Sequence, residues 1–343
     1  MPNLPFLARL PSWWATPLIG AIGGYLASLI GWPLPWIIGS LLAVIIARCS
    51  GWLVTEVPSG RKAGQWIVSS AIGLHFTSEV MGQLHSHFGV ILAGAFCTLL
   101  LSVIGIAVLR RSGVDRATAF FSSMPGGASE MVNFAQRHNA HTARVAAAHS
   151  MRLLLVVLIV PAVFTWSLPP MERPAPLPVD WMWLAILLPA GALLAVIWGK
   201  LKQPNPWMLG PLTACAIAAC TFDLHIGLPP GLGQVGQWLI GCTLGCHFDR
   251  AFFRSAPGFL MRILLFTLLA MLTAALLAKG LGLMAEQDST SLMLGMMPGG
   301  ITELCLTAEA LQLSVALVTA LQVLRLFMVM FLAEPLFKVW QKT

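Results

Sequence analysis

Charge is the scarcest property of this sequence. Only 10% of its 343 residues are Asp, Glu, Lys or Arg, against about 25% in a soluble domain. With 57% hydrophobic residues and a mean hydropathy of +0.82, a water-soluble fold is excluded and a multispanning membrane protein is expected, with the lipid bilayer as its main partner. A basic stripe is also missing. The net charge is +7, but Lys and Arg stand singly or in pairs at the ends of apolar segments, as membrane topology requires and nucleic-acid binding does not. No disulfide framework exists, because the 7 cysteines are odd in number and lie almost wholly inside apolar segments. Cys242 and Cys246 beside His247 mimic half a metal site, yet Ser70 and Leu74 hold the matching places upstream, so no metal and no cofactor is expected. The histidines are dispersed rather than clustered as oxygen-activating metals need, which argues against an enzyme. Residues 1–14 have no sustained apolar core, so no cleavable signal peptide is expected.

What the chain does have is said twice. Met124-Pro125-Gly126-Gly127-Ala128-Ser129-Glu130 returns as Met297-Pro298-Gly299-Gly300-Ile301-Thr302-Glu303, an offset of 297 − 124 = 173. Each copy has an arginine 22 residues past its glutamate, Arg152 and Arg325. Upstream, Pro33-Leu34-Pro35-Trp36 with Gly39 matches Pro204-Asn205-Pro206-Trp207 with Gly210, and Gly64-Gln65-Trp66 with His75 matches Gly236-Gln237-Trp238 with His247. Chance similarity of apolar stretches supplies Leu and Val in register, not Pro, Trp, Gln, His and Glu, so the unit is duplicated. The expected organisation is a first membrane repeat over 1–166, a Pro-rich connector over 167–181 and a second repeat over 182–343.

Each half offers six apolar segments, several short of the roughly 20 residues a span needs. Basic charge follows segments two and four in the first half but segments one and three in the second. An odd number of crossings per half brings all of it to one face, which inverts the halves. One segment in six then fails to cross. The Pro-Gly-Gly segment is the first candidate, as a re-entrant pair of half-helices; the short segment starting at Trp36 is the second. The fold expected is an all-α membrane protein of about 10 spans in two inverted repeats, each with a helix broken at Pro-Gly-Gly.

Pro125 and Pro298 each remove a backbone donor, and the glycines beside them tolerate turns, so a continuous helix fails there. Ser129 and Thr302 are placed to cap the half-helix beyond. A break in hydrocarbon strands polar backbone groups, which is tolerable where protein or a wet cavity satisfies them, and a half-helix N-terminus suits an anion or polar solute. The candidate substrate- or ion-binding residues are Pro125, Gly126, Gly127, Ser129, Glu130 and Arg152. Their counterparts are Pro298, Gly299, Gly300, Thr302, Glu303 and Arg325, with His75 and His247 near the ends of the Gly-Gln-Trp segments. Glu130–Arg152 and Glu303–Arg325 read either as structural ion pairs or as proton or cation sites beside anchors for an anionic solute. His149, opposite Gln322, lies one turn before Arg152. The two breaks are expected to meet near the midplane around a polar pocket.

In these paired motifs the whole chain resembles the duplicated AbrB-type family of bacterial inner-membrane proteins. Members carry labels of ammonia monooxygenase or regulator of gene expression, and share a name with an unrelated soluble DNA-binding fold. The resemblance implies a multi-pass protein of the bacterial inner membrane. The breaks also look like those of bile-acid-sodium and cation-proton antiporter transporters, where crossed broken helices mark the transport site; the glutamate after Ser129 and Thr302 departs from that pattern. The function expected is secondary transport of a small solute, an anion being the class the arginines would suit, coupled to protons or cations. The alternative is a membrane sensor acting indirectly on gene expression. Homo-oligomer formation is left open.

Overall fold

The computed structural model describes residues 13–169, 177–285 and 287–342. The centre of the connector and residues 1–12, on which the leader expectation falls, lie outside them. Among the described residues every regular element is a helix. The first half contains α1 (Ala15–Leu29), α2 (Pro35–Cys49), α3 (Gly60–Leu74), α4 (Ser78–Ser86), α5 (Phe88–Arg111), α6 (Arg116–Ser123), α7 (Ala128–Arg137) and α8 (Thr142–Ser167). The second contains α9 (Trp181–Lys200), α10 (Pro206–Phe222), α11 (Leu232–Gly245), α12 (Arg250–Ser255), α13 (Pro257–Ala285), α14 (Ser289–Met296), α15 (Ile301–Ala310) and α16 (Val315–Lys342). Five of these, α5, α8, α9, α13 and α16, are long and apolar enough to cross a membrane, and α1, α2 and α10 are shorter apolar helices. The protein is built to span a membrane. The first Gly-Gln-Trp segment forms α3, which stops at Leu74, and the chain restarts as the short α4.

Local chemistry explains the boundaries. Pro35 and Pro206 each stand at the first helical position, where a missing N–H costs nothing, behind Leu34 and Asn205 in left-handed conformation at φ 49 and 43. Asp115 caps α6 by accepting from Thr118 N–H at 2.8 Å, and Asp288 caps α14 by accepting from Thr290 and Ser291 N–H at 3.0 Å. A carboxylate there complements the helix dipole.

The helices form two groups. One holds α1, α2, α3, α9, α10 and α11, packed through small residues. A Cβ on Gly23 would lie 2.3 Å from Gly39 O, and one on Gly210 2.4 Å from Ala195 N, so α1–α2 and α9–α10 are close hairpins. Gly64 and Gly236 meet face to face, and Gly60 approaches Thr243 while Gly64 reaches Ile240, so α3 and α11 cross antiparallel. Trp66 Nε1 donates to Leu188 O at 3.0 Å and Trp238 Nε1 donates to Pro17 O at 3.1 Å. Trp66 and Trp238 thus each tie the opposite half of the chain. The second group holds α5 to α8 and α13 to α16.

Tracing the chain sorts its charges. The C-terminal ends of α2 and α11 lie together, tied by Arg48 to Asp249 at 3.2 Å and to Phe248 O at 3.1 Å. This end of the bundle collects Arg48, Arg61, Arg110, Arg116, Lys200 and Lys338. The opposite end carries Glu79, Asp180, Asp223, Asp288 and Glu309 against Lys279.

Candidate functional site

The Pro-Gly-Gly segments are hairpins. Helix α6 enters from the basic end and stops at Ser123; α7 then returns, its Phe134 and His138 rings packing on Phe121 with centroids 6.2 and 5.6 Å apart. His141 N–H, at the start of α8, donates to Thr118 Oγ1 at 2.9 Å, so the chain comes back to where α6 began. The second half repeats the return from the acidic end: Ser314 N–H donates to Ser291 Oγ at 3.0 Å.

At each break the arginine binds backbone carbonyls, not the glutamate. Arg152 Nη1 donates to Met124 O at 2.9 Å, and its Nη2 donates to His149 Nδ1 at 3.0 Å. With Nδ1 accepting, the imidazole proton sits on Nε2, which donates to Phe121 O at 2.9 Å. In the second half Arg325 Nη1 donates to Met297 O at 2.8 Å, and Nη2 to Gly299 O at 3.0 Å and Gln322 Oε1 at 2.5 Å. Gln322 Nε2 donates onward to Gly295 O at 2.7 Å and Met297 O at 3.2 Å. His149 and Gln322 therefore do one job: each accepts from the arginine and donates to a carbonyl the break has stranded. The break in lipid is made tolerable by protein donors. No ion pair joins Glu130 to Arg152 or Glu303 to Arg325 among the described residues, so the ion-pair reading is corrected. The two guanidiniums lie within reach of each other's field.

The glutamates turn the other way. A Cβ on Gly127 or Gly300 would lie 2.0 Å from Oε2 of Glu130 or Glu303. These glycines are the N-caps of α7 and α15, and the glutamates, three positions on, fold back over them as in the second arm of a capping box. Ser129 and Thr302 do not cap; they sit at the second helical position, exposed and buried respectively. The half-helix N-termini expected to hold an anion are covered by the chain's own carboxylates.

The expected pocket between the breaks is displaced. Gly126 faces Val329 on α16, and Gly299 faces Val156 on α8, so each break packs on aliphatic side chains of the other half. The space lies beside them: a cavity of about 1000 Å3 opens at the acidic end between the C-terminal turn of α15, the ends of α3 and α8, and the start of α11. His75 and Gln237 line it, with Trp32, Trp36, Thr307 and Glu309. At the basic end the equivalent His247 is exposed and borders a separate crevice of about 10 Å3 with Ser150, Leu153 and Phe248. The halves differ likewise at the glutamates, since Glu303 is 8% exposed within the wholly buried first turns of α15, while Glu130 is half-buried on the largely exposed α7. Glu309 was not singled out from sequence; its signal is an acid ending an apolar segment where the first half has Gln136 (309 − 173).

These features meet a matching sequence model, described as transition state regulatory protein AbrB, over residues 7–341. The chain belongs to the AbrB family. It is similar to "Uncharacterized protein YhjN" of Bacillus subtilis (strain 168), 30% identical over 93% of this chain and 91% of that protein. It is also similar to "Putative regulator AbrB" of Escherichia coli (strain K12), at 29% identity over 90% and 89% of the two chains. As AbrB-family coverage runs nearly end to end, the match takes in both Pro-Gly-Gly hairpins and the cavity beside them.

Proposed function

We propose that this AbrB-family protein is a secondary transporter that carries a small solute by alternating access between two inverted repeats. The repeats are 1–166 and 182–343, joined by the connector 167–181. Each contributes five crossings, α1, α2, α3, α5 and α8 or their counterparts α9, α10, α11, α13 and α16, with the Pro-Gly-Gly hairpin re-entering without crossing. Matched contacts support the inversion: equivalent helices α3 and α11 cross antiparallel at equivalent glycines, and the Trp66 bond to Leu188 O is repeated by Trp238 to Pro17 O, 171 residues apart in the acceptor (188 − 17). The charge asymmetry supports a basic end in the cytoplasm of a bacterium's inner membrane and a cavity mouth outside.

The observation that carries the reading is the one-sided opening. A cavity of about 1000 Å3 opens at the acidic end beside His75, while at the basic end the equivalent His247 borders a crevice of only about 10 Å3, an asymmetry that fits a symmetric carrier held in one of its two states. Glu303 and Glu130 are the coupling sites for a proton or cation, each held at a helix N-terminus and differing in access. The chain acts as a carrier and not as an enzyme, and needs no cofactor.

The test is side-specific labelling, with the native cysteines replaced. Gln237→Cys, half-buried in the cavity lining, reacts with an impermeant maleimide from outside at rest, and Leu154→Cys, buried in the crevice, does not react from inside. A proton gradient then exchanges the two reactivities. Simultaneous full reactivity at rest describes a channel, and reactivity fixed under every gradient removes the carrier. The printed name of the Escherichia coli relative supports a second reading, a membrane regulator. It gains if deletion shifts transcription while proteoliposomes carry no gradient-driven flux.

A further inference from the structure

The cavity's chemistry is one-signed. Among the described residues no Lys or Arg lines it, and the two buried arginines are turned to the carbonyls of their own breaks. Its polar lining includes His75, Gln237, Thr165, Thr307, Gln312 and Glu309. The last turn of α15 faces it from Leu306 to Gln312, so the negative end of that helix points into the cavity together with Glu309. The Glu309 carboxylate takes no hydrogen bond from any described residue; its backbone oxygen accepts from Gln312 N–H at 3.2 Å and from Gln312 Nε2 at 3.0 Å. A carboxylate without a partner beside a helix C-terminus attracts a cation. Two tryptophans, Trp32 and Trp36, line the same cavity, and Trp32 is held edge-on by Trp166 with ring centroids 6.2 Å apart. Among aromatic rings the indole face binds poorly hydrated organic cations best. At about 1000 Å3 the space fits an organic molecule rather than a bare ion.

We propose that this cavity binds an organic ammonium ion, held by Glu309 and the negative end of α15 and stacked against Trp32. The ligand class replaces the anion expected from sequence, because the groups that would have held an anion are occupied. It becomes the transported substrate only on the carrier reading above, on which that part rests.

Calorimetric titration of the full chain in detergent tests it, with choline and benzyltrimethylammonium as cations, 3,3-dimethylbutan-1-ol as the neutral twin of choline, and benzoate as an anion. The ammonium ions bind, and the neutral twin binds at least about tenfold more weakly, a difference of about 1.4 kcal/mol. Glu309→Gln weakens ammonium binding about tenfold or more with an unchanged unfolding curve. Trp32→Leu weakens it similarly, while Trp32→Phe restores most of it. The proposal is overturned if benzoate or the neutral twin binds as tightly, if Glu309→Gln changes nothing, or if neither ammonium binds at millimolar concentration. Ammonium binding without gradient-driven flux in proteoliposomes keeps this inference and removes the carrier. Gradient-driven flux of another solute, with no ammonium binding, does the reverse.

Discussion

Replacing Arg325 separates two roles that its sequence position leaves mixed. As an anchor for an anionic solute, its loss abolishes binding and leaves the fold intact. As the donor that closes a broken helix, its loss destabilises the protein. In Arg325→Met, Gly299 O loses the donor at 3.0 Å and Gln322 Oε1 loses the donor at 2.5 Å. Met297 O keeps Gln322 Nε2 at 3.2 Å and the tight-turn bond from Gly299 N–H at 2.9 Å. Two acceptors are therefore stranded, at about 1–3 kcal/mol each. Against this, the variant no longer buries a cation, which recovers part of the loss.

The net cost is about 2–4 kcal/mol. Unfolding entropy of about 2.1 cal/mol/K per residue gives roughly 0.7 kcal/mol/K for the chain, hence a fall in Tm of roughly 3–6 °C. Intrinsic tryptophan fluorescence of detergent-purified protein, heated at one fixed scan rate, reads this directly. Arg152→Met behaves alike, because Met124 O has no second donor among the described residues. A Tm within about 1 °C of the native value for both variants, with ligand binding lost, refutes the closure argument and returns the arginines to the substrate.

The remaining expectations use the same assay. His149→Gln and Gln322→His each preserve one acceptor and one donor, so each costs less than about 1 kcal/mol, whereas His149→Phe strands Phe121 O and costs about 1–3 kcal/mol; equal losses would show that the relay is not what holds the break. Gly300→Ala drives a methyl into Glu303 and against Leu153, whose Cδ1 would be 3.0 Å away, and costs about 1–3 kcal/mol. Gly127→Ala costs less than about 1 kcal/mol, because half-buried Glu130 can swing aside; a reversed order would contradict the asymmetry of the halves. At Asp288 burial raises the carboxyl pKa, but bonds from the Ser291 hydroxyl and the Thr290 and Ser291 N–H groups outweigh it and hold the pKa below the usual range. That stabilisation is complete above the ordinary carboxylate pKa of about 4 and is lost as pH falls through the lower folded value. The Tm gap between native protein and Asp288→Asn therefore narrows at acid pH, and a gap that widens there would disprove the cap.

Sequence could show where the chain breaks but not what closes the break. Pro125 and Pro298 are visible as residues that end helices, and the doubled spacing to Arg152 and Arg325 marks the arginines as belonging to them. Their partners are backbone carbonyls, which every residue has and no sequence pattern marks, so an acid 22 residues away looked like the natural counter-charge. The glutamates were misread for a related reason. A carboxylate three positions past a glycine reads as a charge seeking a partner, while its partner is the helix terminus it starts from. On the carrier reading, the return of His141 to Thr118 and of Ser314 to Ser291 favours the Pro-Gly-Gly hairpin over the Trp36 segment as the one that does not cross. Least legible was the difference between two copies of one motif. Ser129-Glu130 and Thr302-Glu303 are near twins in sequence, yet α15 is buried against α3 while α7 packs on α8 and leaves most of its surface open. Two equal units in contact around one axis cannot both be open at opposite ends unless the path is continuous. On the carrier reading, one must close where the other opens, and the cover α15 now takes from α3 is the cover α7 takes from α11 in the opposite state.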